Sequence, residues 1–286
     1  MTPLVLGALA IALAGPVPAL LARSTRVHRT PVAALVLWQA IALAAVLAAL
    51  GAGASLVTDQ AWRRPASWAH LVVAAVALIL TIVVLARLAR SAHLVGTSLR
   101  ALRRQHREHL DVLARPDDGI HVLDHHQPLA YCLPGRAESR VVVSAAALQQ
   151  LSPEQLTAVL AHERAHLAAR HDLVLEAFTV LHHAFPRWVS SDRALGEVRL
   201  LVEILADRAA VRAGHVEDLG QALLTMVQWR APAGALGGTG ANLVERVGVL
   251  GDRRPRPLQA AGLLAGSVAV LVLPTALVVA PWIGSL

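Results

Sequence analysis

The chain has 286 residues, of which 56% are apolar and only 16% charged. This composition excludes an ordinary soluble protein and indicates membrane-spanning segments. The net charge is +7 and every basic residue is an arginine, but many arginines lie beside apolar segments, where they are typical of topology signals and lipid contacts rather than of nucleic-acid binding. The single Cys132 excludes an intramolecular disulfide and fits a reducing compartment.

Four apolar segments are each long enough to cross the hydrocarbon core of a bilayer, which is about 30 Å thick. They are residues 2–22, 31–54, 69–86 and 258–280. The first segment has no positive charge before it and arginines after it, which is the reverse of a cleaved signal peptide. We therefore predict three transmembrane helices with short loops in residues 1–90 and a fourth in residues 258–286.

The placement of the arginines predicts the orientation of these helices. Arginines follow the first and third segments and precede the fourth, although Arg63 and Arg64 lie in the opposite loop. The positive-inside rule then puts residues 87–257 in the cytoplasm. An alanine- and arginine-rich chain without lysine is typical of a GC-rich genome, so we predict a multi-pass protein of a bacterial plasma membrane.

Residues 91–114 are predicted to continue the third helix, because leucines recur there at helical spacing with arginines between them. The arginines fit either a helix lying on anionic lipid or an ordinary solvated face. Three short segments after it, residues 120–124, 129–133 and 140–144, have strand-like patterns separated by turn residues. They predict a small sheet.

The motif with the clearest chemistry is His162-Glu163-Arg164-Ala165-His166. The preceding Ser152-Pro153-Glu154-Gln155 supplies an N-cap, a proline at the first helical position and a capping box. Two histidines four residues apart project from one face of the predicted helix, where they can bind one zinc ion. Glu163 could then take a proton from a zinc-activated water. The alternative is a surface helix with two unrelated histidines.

A catalytic zinc site needs a third protein ligand, and three downstream glutamates are candidates: Glu176, Glu197 and Glu203. Glu203 is favoured because it lies in an apolar helix, where a carboxylate without a partner is costly. Asp207 follows on the same face and can accept the second ring N–H of a ligand histidine. The alternative is an ion pair of these carboxylates with Arg199 or Arg208. His215 is a candidate for stabilising the oxyanion.

These motifs resemble those of the BlaR/MecR family of membrane zinc peptidases. The resemblance rests on Val141-Val142-Val143-Ser144, on the run from Leu151 through His166, and on Glu203-Ile204-Leu205-Ala206-Asp207. It is supported by the layout of three spans, a peptidase region and a fourth span. HtpX-like membrane peptidases are more distantly similar and share the motif pair.

The resemblance implies one zinc ion on His162, His166 and Glu203, with Glu163 as the base and Asp207 behind a ligand. It also implies a mainly α membrane protein with a small α+β zincin-like (gluzincin) domain in residues 91–257. An edge strand of that domain would bind the peptide, and Val141, Val142, Val143 and Ser144 form the candidate strand.

One feature departs from the family's antibiotic sensors, which carry an extracellular penicillin-binding domain after the last span. This chain stops at Leu286, shortly after its fourth apolar segment. We therefore do not expect it to sense β-lactams by its own acylation. A separate sensor protein, a homodimer or the loop at residues 55–68 would have to receive the signal.

The predicted function is a membrane zinc metalloendopeptidase that performs regulatory proteolysis of a cytosolic protein, such as a transcriptional repressor. One alternative is an HtpX-like protease for quality control of membrane proteins. The other is a non-catalytic membrane receptor or scaffold with a structural zinc site. The expected partners are a protein substrate and the lipid bilayer.

Overall fold

A computed structural model describes residues 2–62, 67–135, 138–185, 192–226, 243–252 and 254–283. Arg63 and Arg64, which entered the topology prediction, lie outside the described residues. The chain is mostly helical with a small sheet, as predicted. It forms two compact units. The apolar unit comprises Met1–His93, Phe178–Val198 and Arg256–Leu286, and the sheet unit comprises Leu94–Ala177 and Arg199–Pro255.

Four stretches of the described chain are long and apolar enough to cross a membrane: Thr2–Leu21, Pro31–Asp59, Trp68–Leu113 and Pro257–Ala280. The helices that contain them are α1 (Thr2–Ala14), α2 (Pro16–Leu21), α3 (Pro31–Trp62), α4 (Trp68–Leu113) and α11 (Pro257–Ile283). The first stretch breaks at Gly15, because Pro16 and Pro18 supply no backbone N–H to continue the helix. These helices are compatible with a membrane protein.

Helix α4 is longer than a membrane requires. Its 46 residues extend about 69 Å at 1.5 Å per residue, more than twice the thickness of the hydrocarbon core. Large apolar side chains between Leu71 and Leu85 are exposed, as expected of a lipid-facing surface. Four of the six arginines of α4 come later in the helix, in residues that belong to the sheet unit.

The division into units differs from the predicted boundaries at one place. Phe178–Val198 was assigned to the peptidase region at residues 91–257, but it packs in the apolar unit. Two hydrogen bonds join this segment to α4 within the apolar unit. Arg87 Nε donates to the carbonyl of Ala184 at 2.8 Å, and Ser91 Oγ donates to that of Val180 at 2.8 Å. The apolar unit thus includes a return segment that the sequence pattern did not distinguish.

The sheet has four strands in the order β1-β2-β4-β3. They are β1 (Ala114–Asp117), β2 (Ile120–Leu123), β3 (Ala130–Leu133) and β4 (Arg140–Ser144). β1 and β2 form a hairpin whose turn uses positive φ at Asp118 and Gly119. β2 pairs with β4 in parallel, and β3 pairs with β4 antiparallel.

The predicted edge strand is therefore wrong. Val141, Val142, Val143 and Ser144 lie in β4, which is paired on both sides and has no free backbone for a peptide. The three valines are buried, as is usual for a strand covered on both faces. The edge strands of the described sheet are β1 and β3, and β3 contacts the helix that carries the histidine motif.

Between the sheet and α11 the described chain has six helices: α5 (Ala145–Gln150), α6 (Pro153–Ala168), α7 (His171–Ala184), α8 (Asp192–Ala213), α9 (Val216–Met226) and α10 (Leu243–Gly251). Val159 of α6 packs in one buried cluster with Val141 and Val143 of the sheet. Ala158 of the same helix packs with Leu219 of α9. These two contacts fix α6 between the sheet and α9.

Candidate metal centre

Helix α6 starts where the sequence predicts. Ser152 Oγ accepts a hydrogen bond from the backbone N–H of Gln155, and Gln155 Oε1 accepts one from the N–H of Ser152. This reciprocal capping box and Pro153 at the first helical position fix the register of the helix. Two turns later the same register buries His162, Glu163 and His166 together.

Three side chains converge in the sheet unit. Ligand atoms of His162, His166 and Glu203 all lie within 4.8 Å of one another. The Nε2 atoms of the two histidines are 3.1 Å apart, and each is 3.6 Å from a carboxylate oxygen of Glu203. Tetrahedral zinc with Zn–N bonds of about 2.05 Å separates two ligand nitrogens by about 3.3 Å. The residues and their spacing therefore fit a zinc ion.

Both histidines are oriented through their second ring nitrogen. His162 Nδ1 lies 2.9 Å from Asp207 Oδ1, and His166 Nδ1 lies 3.0 Å from His171 Nδ1. Because both histidines have a partner at Nδ1, their Nε2 atoms face each other and the carboxylate of Glu203. Such contacts set the tautomer and the ring orientation of metal-binding histidines. The predicted place of Asp207 behind a histidine agrees with this geometry, and His171 stands in the same relation to His166.

Arg246 of α10 is a site residue that the sequence analysis missed. Its Nε and Nη2 donate to the two oxygens of Asp207 at 2.8 and 2.6 Å, and its Nη1 lies 3.2 Å from Glu203 Oε2. The alternative placed an ion pair of these carboxylates with Arg199 or Arg208, and the arginine that pairs with both is Arg246. The sequence contained one indication that Arg246 is buried. Helical spacing puts it on the same face as Leu243 and Leu250, which is the apolar face of α10.

The ionisable groups of the centre hold one proton that a metal cation would displace. Burial disfavours charge on His162, but the nearby carboxylates of Asp207 and Glu203 outweigh it and raise the pKa of His162 to about 10. Burial lowers the pKa of His166 to about 3. Burial opposes ionisation of Asp207, yet Arg246 and His162 hold its pKa at about 2, and the pKa of Glu203 is also lowered. Around neutral pH, Arg246 and the protonated His162 thus balance the carboxylates of Asp207 and Glu203, and a metal ion would replace the proton of His162.

Glu163 lies on α6 beside the first histidine and is only 1% exposed. The thiol of Cys132, in edge strand β3, hydrogen-bonds to its carboxylate. Burial raises the pKa of that thiol, and the nearby charge of Glu163 raises it further. Cys132 is therefore a neutral donor to Glu163, and β3 is the strand that reaches the carboxylate.

The other candidates lie elsewhere. Glu197 binds His28 Nε2 at 2.7 Å in the apolar unit, and Glu176 lies 4.0 Å from Arg103. His215 is exposed just before α9. Within the part of the chain that the structure describes, it has no hydrogen bond or ion pair to the centre, and its role at the oxyanion stays a prediction.

Residues 97–199 match the model of peptidase family M48. The matched segment contains the sheet and the histidine motif, and it ends before Glu203. The match supports a metallopeptidase and is consistent with a BlaR- or HtpX-type enzyme. No curated protein and no solved structure matches the chain.

Proposed function

We propose that this chain is a membrane-embedded zinc endopeptidase that binds one zinc ion through His162, His166 and Glu203. The observation that carries the proposal is the convergence of these three side chains, with Glu163 buried on the same helix. The match to a peptidase family and the four apolar helices support it.

A zinc ion in this centre supplies Lewis acidity toward a peptide carbonyl and toward water. Glu163 takes one proton from the attacking water on its carboxylate and delivers it to the nitrogen of the leaving amine. Asp207 and His171 keep the histidine rings in place during this transfer. Arg246 holds the carboxylates of Asp207 and Glu203 in position.

Glu163→Gln tests this assignment. The amide keeps the shape of the side chain but cannot accept the proton, so we expect zinc content to remain while peptide cleavage falls by about a hundredfold or more. Glu217→Gln, on the exposed side of α9, is the matched control and should cleave like the wild type. Persistent cleavage by Glu163→Gln would exclude Glu163 as the base. Absence of cleavage by the zinc-loaded wild type would favour a structural zinc site in a receptor or scaffold.

The biological role is proposed from the resemblance to BlaR/MecR peptidases: regulatory cleavage of a cytosolic protein, such as a repressor. The peptidase region would accordingly face the cytoplasm of a bacterial cell. Quality control of membrane proteins is the second candidate, since the family match fits both.

A comparison of proteomes from cells with wild-type protein and with Glu163→Gln distinguishes the two roles. Accumulation of one or a few cytosolic proteins in the variant supports regulatory proteolysis. Accumulation of many membrane proteins would instead identify a quality-control protease.

A further inference from the structure

Four arginines of α4 share one face of the helix. Arg100, Arg103, Arg104 and Arg107 follow the spacing i, i+3, i+4, i+7, which aligns side chains along a helix. In the sheet unit this face borders a cleft of about 680 Å³, and Arg170 joins the same lining. The arginine pattern of this helix thus belongs to a concave surface rather than to a uniformly solvated face.

The lining of the cleft has an excess of positive charge. Five arginines face only two carboxylates, those of Asp172 and Glu176. Both carboxylates lie near Arg103, at 3.5 and 4.0 Å, and Arg103 is only 13% exposed. Arg170 also pairs with Asp172 at 3.3 Å, and Arg104 pairs with Glu108, outside the lining, at 3.8 Å; their side chains stay 47% and 75% exposed. The lining therefore has three more positive than negative charges, or two more when Glu108 is counted. The guanidinium groups of Arg104 and Arg170 are paired but stay accessible to a ligand, because ion pairs exposed to solvent are weak.

Two short links in the chain connect the lining of the cleft to residues at the candidate metal centre. Pro134 and Gly135, which directly follow edge strand β3, line it, and Arg107 Nη1 lies 3.5 Å from the Pro134 carbonyl oxygen. Asp172, on the opposite wall, directly follows His171, which contacts His166. The cleft is thus lined by residues directly next in the chain to β3 and to His171.

We propose that this basic cleft binds acidic side chains of the polypeptide substrate, close to the bond that is cleaved. The inference rests on the proposed peptidase function and adds a substrate class to it. An acidic segment matches the excess charge, and arginine recognises carboxylates through paired N–H donors. Anionic lipid is the other source of negative charge, but these arginines face a cleft walled by α7 and by the segment after β3.

The test uses two sets of quenched fluorescent peptides with randomised centres. One set is flanked on both sides by glutamates and the other by glutamines. Wild-type protein should cleave the acidic set with about tenfold higher kcat/KM, as expected for two or three partly exposed ion pairs. Arg104→Glu/Arg107→Glu should reduce this ratio to one or below. Arg115→Glu/Arg212→Glu, with exposed arginines outside the cleft, should keep it, and added salt should lower it.

Equal cleavage of both sets by the wild type, or an unchanged ratio in the cleft variant, would overturn the proposal. If neither set is cleaved, the peptidase function itself fails. Fluorescence anisotropy with a glutamate-rich peptide and Glu163→Gln protein then still measures the affinity of the cleft for an acidic peptide. Binding that is at least about fivefold tighter than that of the glutamine peptide is expected, and equal binding would contradict the cleft.

Reconstitution in vesicles distinguishes binding of an acidic substrate from binding of anionic lipid. The ratio of acidic to neutral cleavage should be the same in zwitterionic and in phosphatidylglycerol-rich vesicles. A cleft variant whose defect appears only in the anionic vesicles would identify a lipid-binding surface and would refute the proposal.

Discussion

The candidate metal centre and the basic cleft lie in one unit, but the charged groups of the centre are buried and paired, whereas the cleft has an excess of arginines. In the centre, Asp207 and Arg246 are buried and pair with each other through two hydrogen bonds. In the cleft, arginines outnumber carboxylates and several stay exposed. Buried charges require partners, so the centre has one fixed arrangement. Exposed charges do not, so the cleft can accept a ligand from outside.

Removal of Arg246 should have the largest effect on stability. Arg246→Met leaves the carboxylates of Asp207 and Glu203 without their buried cation, and loss of one partner of such a pair typically costs about 3–5 kcal/mol. Denaturant unfolding of the purified protein measures this change. Arg212→Met, an exposed arginine of α8, is the control and should stay within about 0.5 kcal/mol of the wild type. Equal unfolding of both variants would show that the centre tolerates an unpaired carboxylate.

Asp207→Asn should weaken zinc binding. The amide can no longer accept the His162 N–H as a charged partner, and loss of such a partner usually costs about 10–100-fold in metal affinity. Competition with a fluorescent chelator gives the affinity, with Glu217→Gln as the control. Unchanged affinity would mean that Asp207 serves only to neutralise Arg246.

The pH dependence of zinc affinity tests the charge balance of the centre. His162, with its pKa raised to about 10, is protonated in the metal-free protein around neutral pH, whereas His166, with its pKa near 3, is neutral. Zinc must therefore displace one proton, so affinity should rise about tenfold per pH unit between about pH 6 and pH 8. Titration calorimetry in buffers of different ionisation enthalpy counts the protons released. A release of zero or two protons would contradict this charge balance.

Substitution of the cleft arginines should have a smaller effect than substitution in the metal centre, because Arg104 is largely exposed to solvent. The variant Arg104→Glu/Arg107→Glu is expected to change substrate preference by about tenfold while leaving zinc content unaltered. A cleft variant that loses zinc would show that the two regions are not independent.

Local chemistry explains which parts of this structure the sequence predicts. The capping box of Ser152 and Gln155 fixes the start of α6, and the spacing of His162 and His166 then places both rings on one face. Glu203 and Asp207 are also four residues apart and lie on one face of α8. All these features depend on contacts within one helix or on the cost of an unpaired carboxylate.

Tertiary contacts explain what the sequence does not predict. The valines of β4 indicate a buried strand, but pairing with β2 and β3 decides that it is central rather than at an edge. Arg246 lies 39 residues from Asp207, so no local pattern links them. The return segment Phe178–Val198 belongs to the apolar unit through long-range contacts, among them those of its backbone with Arg87 and Ser91 and that of Glu197 with His28.

The central claim is one zinc ion held by His162, His166 and Glu203, and metal content measures it most directly. Elemental analysis of the purified protein should find about one zinc per chain, with X-ray absorption showing imidazole and carboxylate ligands near 2.0–2.1 Å. Glu203→Gln should lose most of the metal, and Glu176→Gln should keep it. Equal zinc in both variants, or a wild type that binds none when zinc is supplied, would contradict the account.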